Sequence, residues 1–233
     1  MASQTANESR LSSAVVRERL AVIYGRPVWR PHGDGMAELL LTVLSQNTSD
    51  TNSGRAFMRL HERFSWEGLL AADPVLIEDL IRVGGLAKIK APRIKEIARE
   101  VWERYGSFDL SFLKNLPLED ARAWLERLPG VGPKTAACVL MFAFGRPALP
   151  VDTHVHRVAL RLGFIPSGAD AIHAQKLLET ALEPDEVYPF HILLIRHGRR
   201  LCRAQRPLCS RCPLLDGCPY GQGVFGSATP AAP

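Results

Sequence analysis

Residues 125–140 read LERLPGVGPKTAACVL: the end of a helical pattern, a Pro-Gly-Val-Gly turn, and a lysine at the head of a run of small apolar residues. Gly130 and Gly132 permit positive φ and the close approach of another backbone. Successive amides in such a turn can point the same way and form an anion-binding concavity, and a helix opening from it adds partial positive charge. Leu128 and Val131 are placed to anchor the turn from below. The arrangement suits the grip of one phosphate of a nucleic-acid strand without reading its base. A bare G-x-G turn is more often a structural connector, so the surrounding sequence has to decide. Lys134 has an ordinary alternative too, as an exposed helix lysine. A helix N-terminus and partial desolvation would both disfavour its ammonium form, whose ordinary pKa is near ~10.4, and free a nucleophilic amine.

Outward from this turn, almost every periodic segment reads as helix, and the expected fold class is all-α. MAELLLTVLSQ (36–46) is apolar on nearly all sides and predicts a buried helix. Within 86–105 the pattern puts Ile89, Ile94, Ile97, Val101 and Trp102 near one face, and Pro92 predicts a helix start near residue 91. Gly106 supplies the stop. Segments 118–128, 134–144, 152–162, 170–182 and 186–202 follow the same pattern, punctuated by Gly or Pro. The link GRPALP (145–150) is the expected crossing point between two lobes. The tail 221–233, rich in Gly, Ala and Pro, is expected to be disordered.

Composition agrees with an ordinary globular chain, 46% hydrophobic and 23% charged. A net charge of +5 favours polyanionic partners. The charge is concentrated: RHGRRLCRAQRPLCSR (196–211) holds six arginines and no acid. No apolar run has the length of a membrane span, and MASQTANESR at the start lacks the pattern of a signal or transit peptide. The expectation is a cytoplasmic protein, nucleoid-associated through DNA, with no membrane partner.

Asp152, eighteen residues after Lys134, opens VDTHVHRVALRLGF (151–164) where it can cap a helix. His154 and His156 are two apart, so on a helix they face different ways and suit packing or hydrogen bonding better than a shared metal. Of five cysteines, Cys138 lies in an apolar run and reads as a buried small hydrophobe. The others, Cys202, Cys209, Cys212 and Cys218, spell C-x6-C-x2-C-x5-C within seventeen residues. Disulfides are not expected without a secretion signal. Four clustered thiolates suit zinc, but zinc sites usually show two tight C-x2-C pairs where this chain has one, and thiolate ligation of an iron–sulfur cluster is the preferred reading.

The strings LPGVGPKTA, VDTH and the cysteine spacing resemble, in the family's order, the endonuclease III family of helix-hairpin-helix DNA repair glycosylases. The likeness runs from about residue 36 to 219. It implies a six-helix domain at 34–145 and an iron–sulfur domain from 1–33 with 146–220, with DNA across the cleft between them and the target nucleotide flipped out. It implies Lys134 and Asp152 as the catalytic pair, with Asp152 assisting the lysine and stabilising positive charge on the sugar. A [4Fe-4S] cluster on Cys202, Cys209, Cys212 and Cys218 would rigidify the loop that presents Arg203 and Arg206 to phosphates. The hairpin residues Gly130, Val131 and Gly132 would hold a further phosphate. Leu86 matches the family's inserted leucine, although a loop leucine packed on the core fits the sequence as well. In SQNTSD (45–50), position favours Asn47 and residue identity favours Gln46 as the group filling the vacated space. Pro133 replaces an arginine common in the family. The resemblance favours a monomer, and with the lysine present it implies a bifunctional glycosylase and abasic-site lyase acting on double-stranded DNA. Oxidised pyrimidines such as thymine glycol, or abasic sites, would be its substrates. The alternatives are a glycosylase for alkylated purines and an Fe–S DNA-binding protein without catalysis.

Overall fold

The structure, a computed structural model, describes residues 11–226. Among them the elements are α1 (Ser13–Tyr24), α2 (Gly35–Ser45), α3 (Asp50–Arg63), α4 (Trp66–Ala71), α5 (Pro74–Ile81), α6 (Ala87–Tyr105), α7 (Leu118–Glu126), α8 (Pro133–Phe144), α9 (Thr153–Leu162), α10 (Ala171–Ala181), α11 (Val187–Arg200) and α12 (Pro219–Gly226), joined by short 3₁₀ turns. No strand occurs among the described residues, and the fold is all-α. None of these helices is long and apolar enough to cross a membrane. The start sequence, through residue 10, lies outside the described residues.

The chain divides into two compact units, Arg30–Ala148 and a second made of residues up to Trp29 with those from Leu149 onward. The first holds α2 to α8, one helix more than the resemblance implied, because residues 66–81 form two short helices. Its centre is α2, started by the Asp34 carboxylate, which accepts from the Ala37 amide at 2.7 Å. Met36, Leu39, Leu40, Val43 and Leu44 are fully buried, as the apolar pattern predicts. Gly35 is required here: a Cβ would stand 2.5 Å from Cζ of Phe144 on α8 and 2.9 Å from Cβ of Leu110. That close approach seats α8 against α2 and carries the Lys134 turn with it.

Helix α6 departs from expectation. It begins at Ala87, not near 91, and Pro92 lies inside it. Ala87, Lys90 and Ala91 are buried and pin the first turn by packing. Pro92 and Lys88 both lie on the exposed side of the helix, away from the buried face. Ile94, Ile97 and Val101 line the buried face, but Ile89 is 55% exposed and Trp102, 42% exposed, stacks on Phe108 at the rim.

In the second unit α9 and α1 pack against α11, burying Val16, Leu20, Val155, Val158, Ala159, Phe190 and Leu194. Arg17 pairs with Glu186, and Arg19 donates to the Pro213 carbonyl at 3.0 Å, which ties α1 to the end of the cysteine loop. The tail expectation is corrected in part. Residues 221–226 are the end of α12, which opens on Pro219, and Gly221 is buried against Leu215 and Cys218. Residues 227–233 lie outside the described residues.

Candidate active site

The hairpin between α7 and α8 sits on the first unit's core through Leu128 and Val131, both buried. Val131 donates its amide to the Leu128 carbonyl at 3.1 Å, closing the turn. Gly130 takes the positive φ, at 72°. Gly132 does not need it; at φ −102° it is extended backbone and the N-cap of α8. A Cβ on Gly132 would meet nothing, so the bare backbone faces open space. No side chain caps this helix, and Pro133 takes its first turn. The amides of Lys134 and Thr135 are therefore first-turn donors with no intrahelical partner. Lys134 follows directly and is exposed. The partial burial expected for its amine is absent, because Lys134, Cys138 and Phe142 form the stripe of α8 turned away from the core. For the same reason Cys138 is only half-buried.

The underside of the hairpin is held by side chains that the sequence did not advertise. The Arg93 side chain fills the space beside Gly130, where a Cβ would collide with it at 2.4 Å. Arg93 Nη1 also donates to Gln46 Oε1 at 3.3 Å. The other end of that amide, Nε2, donates to the Gly130 carbonyl at 3.1 Å and to Thr135 Oγ1 at 3.3 Å. Gln46 is thus committed at both ends to the turn. Its neighbour Asn47 is exposed, with left-handed backbone at φ 55°. Leu86 has the same conformation, at φ 52°, and is 49% exposed, so it is not packed on the core. A β-carbon disfavours this conformation, and apart from Arg206 these are the only non-glycine residues adopting it among those described.

In the other unit Asp152 is the N-cap of α9. Its Oδ1 accepts from the amides of His154 at 2.9 Å and Val155 at 2.7 Å. Its side chain is partly exposed, and the two amides both bond to Oδ1. The histidines point apart: His156 Nε2 meets the Ala169 carbonyl at 2.7 Å, and His154 Nδ1 faces Arg157 Nη2 at 3.2 Å. Lys134 and Asp152 are carried by different units.

Cys202, Cys209, Cys212 and Cys218 all line one cavity, walled by Val158, Leu162, Leu201, Leu208 and Leu215 and closed by Gly221. Burial pushes the Cys212 thiol up to about 11. Burial first, and then the charge of neighbouring cysteines, also raises Cys209 and Cys218. Bare thiolates are therefore unfavourable here, and a cationic group shared by the sulfurs would offset that penalty. Hydrogen bonds already aim at sulfur: Arg161 Nη1 lies 3.3 Å from Cys202 and the Gly221 amide 3.4 Å from Cys218. His197 Nε2 lies 3.6 Å from Cys212 Sγ, with Nδ1 3.3 Å from the Tyr24 hydroxyl, and burial lowers its pKa to about 4, keeping the ring neutral. The donor set and its apolar walls fit an iron–sulfur cluster. As they stand, no three His, Cys, Asp or Glu side chains among the described residues are grouped to hold a metal ion.

Two arginines of α9 hold the loop between the first two cysteines. Arg157 donates to the carbonyls of Cys202 at 3.1 Å and Gly198 at 2.9 Å, and Arg161 to those of Arg203 at 2.7 Å and Ala204 at 3.1 Å. Arg203 and Arg206 are left exposed at the loop's outer side, with Arg199, Arg200 and Arg211. Arg196 is different, since it turns inward to the Tyr24 carbonyl at 2.8 Å. The only signal for Arg157 and Arg161 was their spacing at i, i+4 on α9.

Residues 40–184 match the model of the HhH-GPD superfamily of base excision DNA repair proteins. The chain is 38% identical over 188 residues to endonuclease III of Thermotoga maritima, covering 80% of this chain and 84% of that protein. Its fold matches that of endonuclease III in a non-covalent complex with DNA, with a TM-score of 0.78 at 30% identity, over 93% of this chain and 99% of that one. A trapped endonuclease III–DNA covalent intermediate matches with a TM-score of 0.77 at 30% identity, over 92% and 99%.

Proposed function

The chain belongs to the HhH-GPD superfamily of base excision DNA repair proteins and within it to the endonuclease III family, and from that premise we propose a bifunctional DNA glycosylase and abasic-site lyase. Its substrates are oxidised pyrimidines of the thymine glycol type in double-stranded DNA. The observation that carries this reading is an exposed lysine at the head of α8, directly after a turn of bare backbone amides.

A phosphate held by the Gly130–Val131–Gly132 turn and the first amides of α8 brings one strand to Lys134. The neutral amine attacks the anomeric carbon of the flipped nucleotide, and the C1′–N bond breaks with its electron pair leaving on the base. The Asp152 carboxylate, its Oδ1 fixed by two amides, stabilises the positive charge that grows on the sugar. The nitrogen then gives up one proton as the sugar ring opens, the C1′–O4′ bond breaking with its electron pair and a proton going to O4′, and the resulting protonated Schiff base acidifies the C2′ proton. Loss of that proton expels the 3′ phosphate by β-elimination, and water then releases Lys134.

Asn47 and Leu86, exposed on left-handed backbone, fill the space the flipped nucleotide leaves. Gln46 is not that residue in this reading, because both ends of its amide already hold the hairpin. Cys202, Cys209, Cys212 and Cys218 would hold a [4Fe-4S] cluster, whose contribution is to rigidify the loop that offers Arg203 and Arg206 to phosphates.

Borohydride trapping on a duplex with one thymine glycol tests the proposal. A covalent protein–DNA adduct is expected, and Lys134→Ala should abolish it and reduce strand nicking by on the order of a thousandfold or more. An adduct that persists in Lys134→Ala assigns the chemistry to another amine. No adduct with intact, brown protein removes oxidised thymine from the proposal.

A further inference from the structure

Lys90 is buried, at 2% exposure, and the chemistry above makes no use of it. Its Nζ donates to the Leu44 carbonyl at 2.7 Å and to the Gly84 carbonyl at 3.2 Å. Leu44 belongs to the last turn of α2, where backbone carbonyls lack intrahelical partners and a cation is favourable. Three residues further on is Asn47. Gly84 closes the 3₁₀ turn before Gly85 and Leu86. The same Gly84 carbonyl accepts a second hydrogen bond, from the Thr48 hydroxyl. Gly84 is also pressed on α3, where a Cβ would stand 3.1 Å from that of Ala56. One ammonium and one hydroxyl therefore join two loops that are distant in sequence, and each loop carries an exposed residue in the left-handed conformation.

Burying an ammonium is unfavourable unless it is well paired, and an apolar side chain of equal length would fill the same space without that penalty. Left-handed backbone at a residue with a Cβ persists only where the surroundings over-determine it. We infer that Lys90, with Thr48, is a positioning residue that fixes the separation and backbone conformation of the Asn47 and Leu86 tips, so that both enter a duplex together. This rests on the reading of Asn47 and Leu86 as the groups that fill the vacated space. It adds a residue that touches no DNA and acts only on substrates from which a base has to be extruded. Single-stranded substrates, whose bases are already free, make no demand on the bridge.

The test compares two single-turnover rates: excision of thymine glycol from a paired duplex, and nicking at an abasic site in single-stranded DNA. Lys90→Met keeps the apolar stem and removes the donors, and Thr48→Val keeps the shape and removes the hydroxyl. Thr48→Val carries the test if Lys90→Met fails to fold. Duplex excision is expected to slow by about tenfold to a hundredfold, with single-strand nicking held within about twofold. Amide hydrogen exchange at Asn47 and Leu86 should accelerate in both variants, whatever the activity. Equal losses on both substrates would reduce Lys90 to a fold-stabilising residue, and an unchanged duplex rate would remove the bridge altogether. Leu86→Ala separates the two ideas. If it too leaves duplex excision unchanged, the insertion reading fails. If it slows excision while Thr48→Val and Lys90→Met do not, only the bridge fails. A wild-type protein inactive on both substrates overturns both.

Discussion

The lysine hairpin and the cysteine loop are both turn-rich segments beside a helix end, and they are held in opposite ways. The hairpin rests on Leu128 and Val131, buried in the apolar core that the helices from α2 to α8 share. Its polar ties come from side chains: Gln46 donates to the Gly130 carbonyl and to the Thr135 hydroxyl, and Arg93 donates to Gln46. The cysteine loop is anchored by Arg157 and Arg161 to its carbonyls, while its four cysteines line one cavity. The first region is complete in the chain alone. The second gathers four wholly or partly buried cysteines, and the raised pKa values of Cys209, Cys212 and Cys218 make bare thiolates unfavourable there without a cationic group.

Removal of one sulfur is the most forceful way to break this comparison. Cys212→Ser is expected to abolish the brown colour and lower the stability of its unit by on the order of 5 kcal/mol, since metal binding is coupled to folding. The Arg30–Ala148 unit should keep its own unfolding transition. Visible absorbance and hydrogen exchange resolved by unit would check both halves. A colourless wild type, or a variant as stable as its parent, would show that the loop holds itself.

What could be read beforehand divides along the same line. Helices with one apolar face, such as 94–101 on α6, announce themselves because burial follows periodicity. The hairpin was legible because glycine, proline and lysine each have a local reason to stand where they do. Buried polar groups were not legible. Pro92 predicts a helix start only if nothing else pins the preceding turn, and that turn is pinned by Lys90, whose partners are 46 and 6 residues away. A buried lysine has no sequence signature, since the rule that lysines face water is correct almost everywhere. That Gln46 is tied to the hairpin was likewise hidden, because its partners Arg93 and Gly130 are remote in sequence and adjacent in space. The α12 turn beyond the last cysteine was hidden by a composition typical of tails.

The self-sufficiency of the first unit has a pH signature. Glu38 on α2 is buried, and burial pushes its carboxyl up to about 7 from 4.5. Thr42 donates to Oε1 at 3.2 Å, while Oε2 has no hydrogen-bond partner among the described residues. His32 lies 3.5 Å away, but burial lowers its own pKa, so it offers no lasting counter-charge. Between about pH 4.5 and pH 7 the folded chain binds more protons than the unfolded chain, so this group makes stability fall as pH rises. Its contribution is most favourable below 4.5 and is lost through 7, a change on the order of 3 kcal/mol. Glu38→Gln should flatten urea-unfolding stability between about pH 5 and about pH 8 relative to the parent. An unchanged slope would place the titration elsewhere.

The smallest effect on stability is the sharpest on function, because Asp152 has two jobs that two substitutions separate. As an N-cap it accepts from two amides of α9. Asp152→Ala loses that cap, which costs about 1 kcal/mol, whereas asparagine caps as well as aspartate and should match the parent within a few tenths. A capping role alone therefore predicts normal base excision in Asp152→Asn. A carboxylate that stabilises positive charge on the sugar predicts the reverse, since a neutral amide cannot do so. Excision should then fall by on the order of a hundredfold in Asp152→Asn as well as in Asp152→Ala. Thermal unfolding beside single-turnover kinetics decides it. An asparagine variant with both full stability and full rate would leave Lys134 as the sole catalytic group, and Asp152 as no more than the start of a helix.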